Sequence, residues 1–155
     1  MLTQNFAIMD IESIQTTKQH KCIRKIHVLA KNGFTSITKE FYPCRKFHDL
    51  EERYRRAFLY CRKNIHKLSY NPRMRSLGCN RAKEVIKYFL NMNTIELVGF
   101  KGGTVEKDFC NAINIPAYNI EELGVEKADN HDPEQEVDFY FGQLIKKGVI
   151  LPLAV

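Results

Sequence analysis

The stretch Phe6 to Ser13, FAIMDIES, constrains this chain more than any other. It is an apolar run of strand length that delivers two carboxylates, Asp10 and Glu12, at its C-terminal end. Residues two apart in a strand share a face, so both carboxylates leave the sheet side by side. Like charges that close repel, and the end of a buried strand tolerates them when a cation neutralises them, a divalent metal ion best of all. An edge strand whose tip lies in water is the plainer alternative.

The rest of the chain supplies a setting for such a strand. Thr16 to Lys21 reads as a polar connection, and Cys22 to Ala30, CIRKIHVLA, alternates as a second strand. Lys31-Asn32-Gly33 is a hairpin turn signal, and Phe34 to Tyr42, rich in Thr and aromatics, pairs back as a third strand. From Asp49 to Leu68 the period changes: Leu50, Tyr54, Ala57, Phe58, Cys61, Ile65 and Leu68 fall at helical spacing. Asn80 can cap a second helix, Arg81 to Leu90. A strand from Thr94 to Phe100 leads into the tight turn Lys101-Gly102-Gly103, and Thr104 can cap a helix from Val105 to Ile113. Pro116 to Leu123 reads as a short strand, and His131-Asp132-Pro133 opens a final helix with Pro at its favoured first position. This order predicts one α/β domain over residues 1–155, a mixed five-stranded sheet flanked by helices, as in ribonuclease H-like folds.

Charge is distributed unevenly. Arg45 to Lys87 holds 13 Lys and Arg against 4 Asp and Glu, whereas Thr104 to Gln143 holds 2 against 10. A basic middle suits a polyanion, and an acidic last third suits a solvated face or a cation site. No stretch approaches the roughly 18 apolar residues of a membrane helix, and MLTQNF lacks the pattern of a secretory leader. The five cysteines are widely spaced without a CxxC pair, which predicts reduced thiols in a cytoplasmic or nuclear setting. Cys44-x3-His48 and Cys61-x4-His66 are weak zinc signals because no cysteine pair has ribbon spacing.

DIES at the end of the first strand, the strand-turn-acid-helix at Val98 to Asp108, and His131 five residues before Glu136 together resemble the DEDDh, or DnaQ-like, exonuclease superfamily. In that family four acidic side chains and a histidine surround two metal ions. The resemblance implies that Asp10 and Glu12 match its DxE motif, that Glu106 takes the second-motif aspartate's place with Asp108 as the substitute, and that His131 with Glu136 matches its HxxxxD motif. The second-motif aspartate and the aspartate of HxxxxD are glutamates here. The segment KGGTVEKDFCNAINIPAYNIEELG, followed by His131 and by Glu136-Val137, also resembles the Maelstrom branch of the superfamily, without that branch's ligand cysteines.

The activity implied is a two-metal 3′–5′ exonuclease on RNA or single-stranded DNA, with RNA ahead of DNA. Asp10, Glu12, Glu106 or Asp108, and Glu136 would hold two Mg²⁺ or Mn²⁺ ions, and His131 would act as general base. Arg53, Arg56, Arg62, Lys63 and Arg73 would hold the phosphates of a single strand. The alternative is a single-strand-binding module of the same fold with weakened catalysis, in RNA silencing, viral or transposon biology. A third reading is an adaptor that uses the apolar tail Gly148 to Val155. Each residue also has a plainer role: Glu106 suits a helix N-terminus, Asp132 a helix cap, and the basic helix a solvated face.

Overall fold

The computed structural model describes residues 5–30, 35–128 and 132–148. His131, the turn Lys31 to Gly33 and the tail beyond Gly148 lie outside the described residues. The sheet is mixed and six-stranded, in the order β4-β3-β2-β1-β5-β6. Its strands are β1 (Phe6–Thr17), β2 (His20–Ala30), β3 (Ser36–Tyr42), β4 (Leu77–Gly78), β5 (Leu97–Phe100) and β6 (Ala117–Asn119). The first three run antiparallel in succession, while β5 and β6 run parallel to β1. Helices α1 (Glu52–Cys61), α2 (Ala82–Met92), α3 (Val105–Ala112) and α4 (Pro133–Lys146) complete the fold.

β1 organises the packing because its pleat divides the core. Ala7, Met9 and Ile11 face Ala82, Ile86 and Leu90 of α2 and Phe109 and Cys110 of α3. Phe6 and Ile8 face Val137, Tyr140, Phe141 and Leu144 of α4 on the other side. Further along that second face, Ile14 packs with Leu50, Tyr54, Phe58 and Tyr70 beneath α1. Asp10 and Glu12 share this face by parity, so they fall between the α4 cluster and the α1 cluster. Each Val, Leu, Ile, Phe or Met side chain fully buried in these clusters contributes about 1.5–3 kcal/mol.

Arg24 of β2 is almost completely buried, and every bond it makes is to this frame. Its Nε donates to the carbonyls of Ser69 at 2.9 Å and Tyr70 at 3.1 Å, and Nη1 donates to Glu40 Oε1 at 2.9 Å. The guanidinium thereby fastens the segment after α1 onto the sheet.

Several boundaries differ from those the sequence predicts. The sixth strand, β4, has only two residues and pairs Leu77 and Gly78 with Phe41 and Tyr42, which is too short for any periodic signal. The basic helix stops at Cys61, passes through one wide turn at Arg62–His66, and ends where Lys67 takes φ 56°. His66 Nδ1 accepts the Leu68 N–H there, which closes the turn. Pro116 to Leu123 forms strand only over Ala117–Asn119, and then a 3-10 turn ending at Gly124 with φ 76°. Neither Asn80 nor Thr104 makes the expected capping bond, whereas Asp132 does, accepting the Gln135 N–H at 3.3 Å. Cys22 and Cys44, which the spacing leaves unrelated, bring their sulfurs within reach of a disulfide, with Cα atoms 6.3 Å apart. β2 and the loop after β3 are hydrogen-bonded neighbours, and this proximity has no trace in the spacing. Cys61, Cys79 and Cys110 are free.

Candidate metal centre

The site forms because β1 outruns its neighbour. Pairing with β5 ends at Ile8↔Gly99, so the Ile11 N–H on that side has no strand partner. Glu106, in the first turn of α3, reaches across and accepts it through Oε1 at 3.1 Å. From the opposite side α4 brings Glu136, and one carboxylate oxygen each from Asp10, Glu12 and Glu136 lies within 4.8 Å of the others. Asp10, Glu106 and Glu136 line a cleft of about 370 Å³, together with Lys101, Lys127 and Tyr140. The turn Gly102-Gly103 forms its rim. Gly102 has φ 62°, and a Cβ there would strike the Glu121 carboxylate, so the turn needs glycine.

Four carboxyls in so small a space cannot all be ionised without cations. Burial, then a shared proton with Glu136, then repulsion from Glu136, Glu106 and Glu12 push Asp10 up to about 10. The Asp10–Glu136 contact is a hydrogen bond only while one partner keeps a proton, and Asp10 Oδ2 itself is buried with no hydrogen-bond partner among the described residues. Burial, with repulsion from Glu136, Glu106 and Asp132, pushes Glu12 up to about 8. Burial raises Glu106 to about 7 despite the opposing pull of its own and the Ile11 N–H. An all-oxygen donor set with an unpartnered buried oxygen suits a hard divalent cation.

These shifts carry a stability prediction. The three groups keep protons in the folded chain at pH values where the unfolded chain, with ordinary values of 3.8 and 4.5, has lost them. Their contribution is fully present below those values and is lost as pH rises through about 7, then 8, toward 10. In EDTA the melting temperature is therefore expected to fall steadily between pH 5 and pH 9 in a calorimetric series. A flat profile would mean that the carboxyls are not crowded in solution.

The structure brings Asp10, Glu12, Glu106 and Glu136 together and leaves Asp108 apart. Asp108 is exposed, two residues beyond Glu106 and on the far side of α3. Two residues near the acids come from β2 and were not expected. Lys25 lies opposite Glu12 in the ladder and pairs with Asp132 Oδ1 at 2.6 Å. His27 lies opposite Asp10, is buried, and shares a 2.5 Å hydrogen bond with Thr38. Burial lowers the His27 pKa, which favours the neutral imidazole. The signal for both was available in the alternation of β2, which puts Lys25 and His27 on one face.

Arg53, Arg56, Arg62, Lys63 and Arg73 are all exposed. Arg53 pairs with Glu51 at 3.2 Å and Arg56 with Glu52 at 2.8 Å, while Arg62, Lys63 and Arg73 make no ion pair among the described residues. The end of α1 adjoins the acids: burial and the charge of Glu12 both raise the Cys61 thiol, and Arg62 follows directly. A larger, apolar hollow of about 600 Å³ lies elsewhere, lined by Ile37, Val85, Tyr88, Phe89 and Met92, away from the carboxyl cluster. Compared with known proteins, the chain matches no protein-family model and no curated sequence.

Proposed function

We propose that the chain is a ribonuclease H-like, divalent-metal-dependent nuclease that removes nucleotides from the 3′ end of RNA or single-stranded DNA. The observation that carries this reading is the convergence of Asp10, Glu12 and Glu136, with Glu106 beside them, around a buried carboxylate oxygen that makes no hydrogen bond among the described residues. Leaving aside the two-residue β4, the sheet order also agrees with a ribonuclease H-like arrangement.

Asp10, Glu12 and Glu136 would hold Mg²⁺ or Mn²⁺, with Glu106 as a further ligand. Bound there, the metal would lower the pKa of water and stabilise charge on the phosphate oxygens. The protein's own part is to orient. The Ile11 N–H fixes the Glu106 carboxyl, and the sheet fixes the two β1 acids. Exposed Arg62, Lys63 and Arg73 would hold the incoming strand by its phosphates. His131 is the proposed general base on the family resemblance alone.

The test uses 5′-labelled single-stranded RNA and DNA with Mn²⁺, Mg²⁺ or EDTA. Stepwise shortening from the 3′ end with Mn²⁺, less with Mg²⁺ and none with EDTA, is the expected result. Mg²⁺ demands near-ideal octahedral geometry, which the longer Glu106 and Glu136 side chains are less suited to supply. Absence of cleavage with either metal would overturn the enzyme reading. The second reading, a binding module with weakened catalysis, is favoured by Lys25, whose ammonium already places one positive charge beside Glu12 and Asp132. Tight binding of single strands without cleavage would establish it.

The basic surface has its own prediction. Replacing Arg62, Lys63 and Arg73 together by Ala should flatten the plot of log affinity against log salt by about 2, at roughly 0.7 per phosphate contact on a single strand. Replacing Arg53 and Arg56 should do less, because Glu51 and Glu52 already partly neutralise them. Equal slopes for all three proteins, read by fluorescence anisotropy, would make this surface merely solvated.

A further inference from the structure

A second cluster of metal-ligating side chains lies toward the C-terminal end of β1, on β2 and the loop after β3, which supply none of the four carboxyls. His20 begins β2, Cys22 follows two residues later, and Cys44 stands in the loop after β3. One ring nitrogen of His20 and the sulfurs of Cys22 and Cys44 all lie within 4.8 Å of one another. Cys22 is buried, whereas His20 and Cys44 are open to solvent, which gives an ion a path in.

We propose that His20, Cys22 and Cys44 form a structural zinc site, the two sulfurs acting as thiolates gathered on one cation. Two sulfurs and an imidazole nitrogen are the donor set zinc takes, and they leave one tetrahedral position for water. One backbone contact favours a thiolate at Cys22. The Cys44 N–H donates to Cys22 Sγ at 3.2 Å, and a bonded, uncharged sulfur is a weak acceptor. The buried Thr16 hydroxyl donates to the His20 backbone carbonyl at 3.3 Å and lies 3.9 Å from Cys22 Sγ and 4.0 Å from Cys44 Sγ, so it packs against the cluster. A disulfide has no use for the imidazole. Since Ile14 pairs with Cys22, this site lies four residues along β1 from Asp10, roughly 14 Å away. Zinc there would pin the loop that leads from β3 toward α1.

The test takes the full chain, purified with a mild phosphine reductant and no chelator, and compares it with Cys44→Ser, His20→Ala and a Glu12→Gln control. Cys44 and His20 are exposed, so those variants are expected to fold. Elemental analysis should find one zinc per chain in wild type and in Glu12→Gln, and little in Cys44→Ser. His20→Ala should weaken zinc binding by about 10² fold or more in a chelator competition, since even outer partners of such ligands are worth about 10 to 100 fold. Replacing zinc with Co²⁺ should produce a thiolate-to-metal charge-transfer band that Cys44→Ser lacks. A metal-free chain whose mass and thiol count show Cys22 bonded to Cys44 would overturn the proposal, as would full zinc content in Cys44→Ser.

Discussion

Replacing Asp10 by Asn and Glu12 by Gln together is expected to abolish metal-dependent cleavage of single strands while leaving the melting temperature equal or higher. The two effects have one cause. Asp10 and Glu12 are the acids that burial and mutual repulsion raise furthest, and removing their ionisable groups removes that repulsion from the metal-free chain. A bound metal contributes several kcal/mol to phosphoryl chemistry, and each 1.36 kcal/mol is tenfold in rate, so the loss should be about 10³ fold or more. Single-turnover assays with Mn²⁺, alongside calorimetry in EDTA, read both quantities. Cleavage at the wild-type rate in the double variant would remove these residues from the site. A large drop in melting temperature would make them structural instead.

The largest expected loss of stability lies in β2. Arg24→Met keeps an apolar stem of similar length but deletes every bond the guanidinium makes. The carbonyls of Ser69 and Tyr70 lose their donor, and Glu40 loses its cation. A buried polar group left unsatisfied costs about 1–3 kcal/mol, so the variant should be about 3 kcal/mol less stable, read as a shift in urea midpoint at constant slope. Glu40→Gln should cost under about 1 kcal/mol, since the Glu40 side chain is 38% exposed and an amide oxygen still accepts. Equal effects of the two changes would mean that the ion pair, not the carbonyl clasp, carries the stability.

What the sequence discloses and what it hides follow from how far each signal reaches along the chain. β1 and α4 are legible because their periods run long enough to define a face, and parity alone puts Asp10 and Glu12 together. Glu106 and Glu136 are legible only as members of an ordered set; nothing local announces that α3 and α4 converge on β1. Lys25 and His27 are hidden by a turn. Thr17 pairs with His20, so Lys18-Gln19 is a two-residue hairpin turn without the usual Asn or Gly, and it reads as a loose connection. With that turn recognised, a straight count puts Glu12 opposite Lys25 and Asp10 opposite His27, and the pairing holds because the two register shifts in between cancel. The Cys22 and Cys44 contact is hidden more deeply, because it joins β2 to a loop whose path no periodicity describes.

The division of β1 between two faces has a consequence for how such a chain can vary. Substitutions along the strand act one side chain at a time, and most would leave the frame in place. One extra residue between Ile8 and Asp10 would act on everything after it. The pleat would turn Asp10 and Glu12 toward Ile86 and Phe109, and turn Ile11 out into the cleft. Every residue of the acid cluster would still be encoded, in the same order, and none from β1 would be in position. In this strand the count of residues is under tighter constraint than their identity.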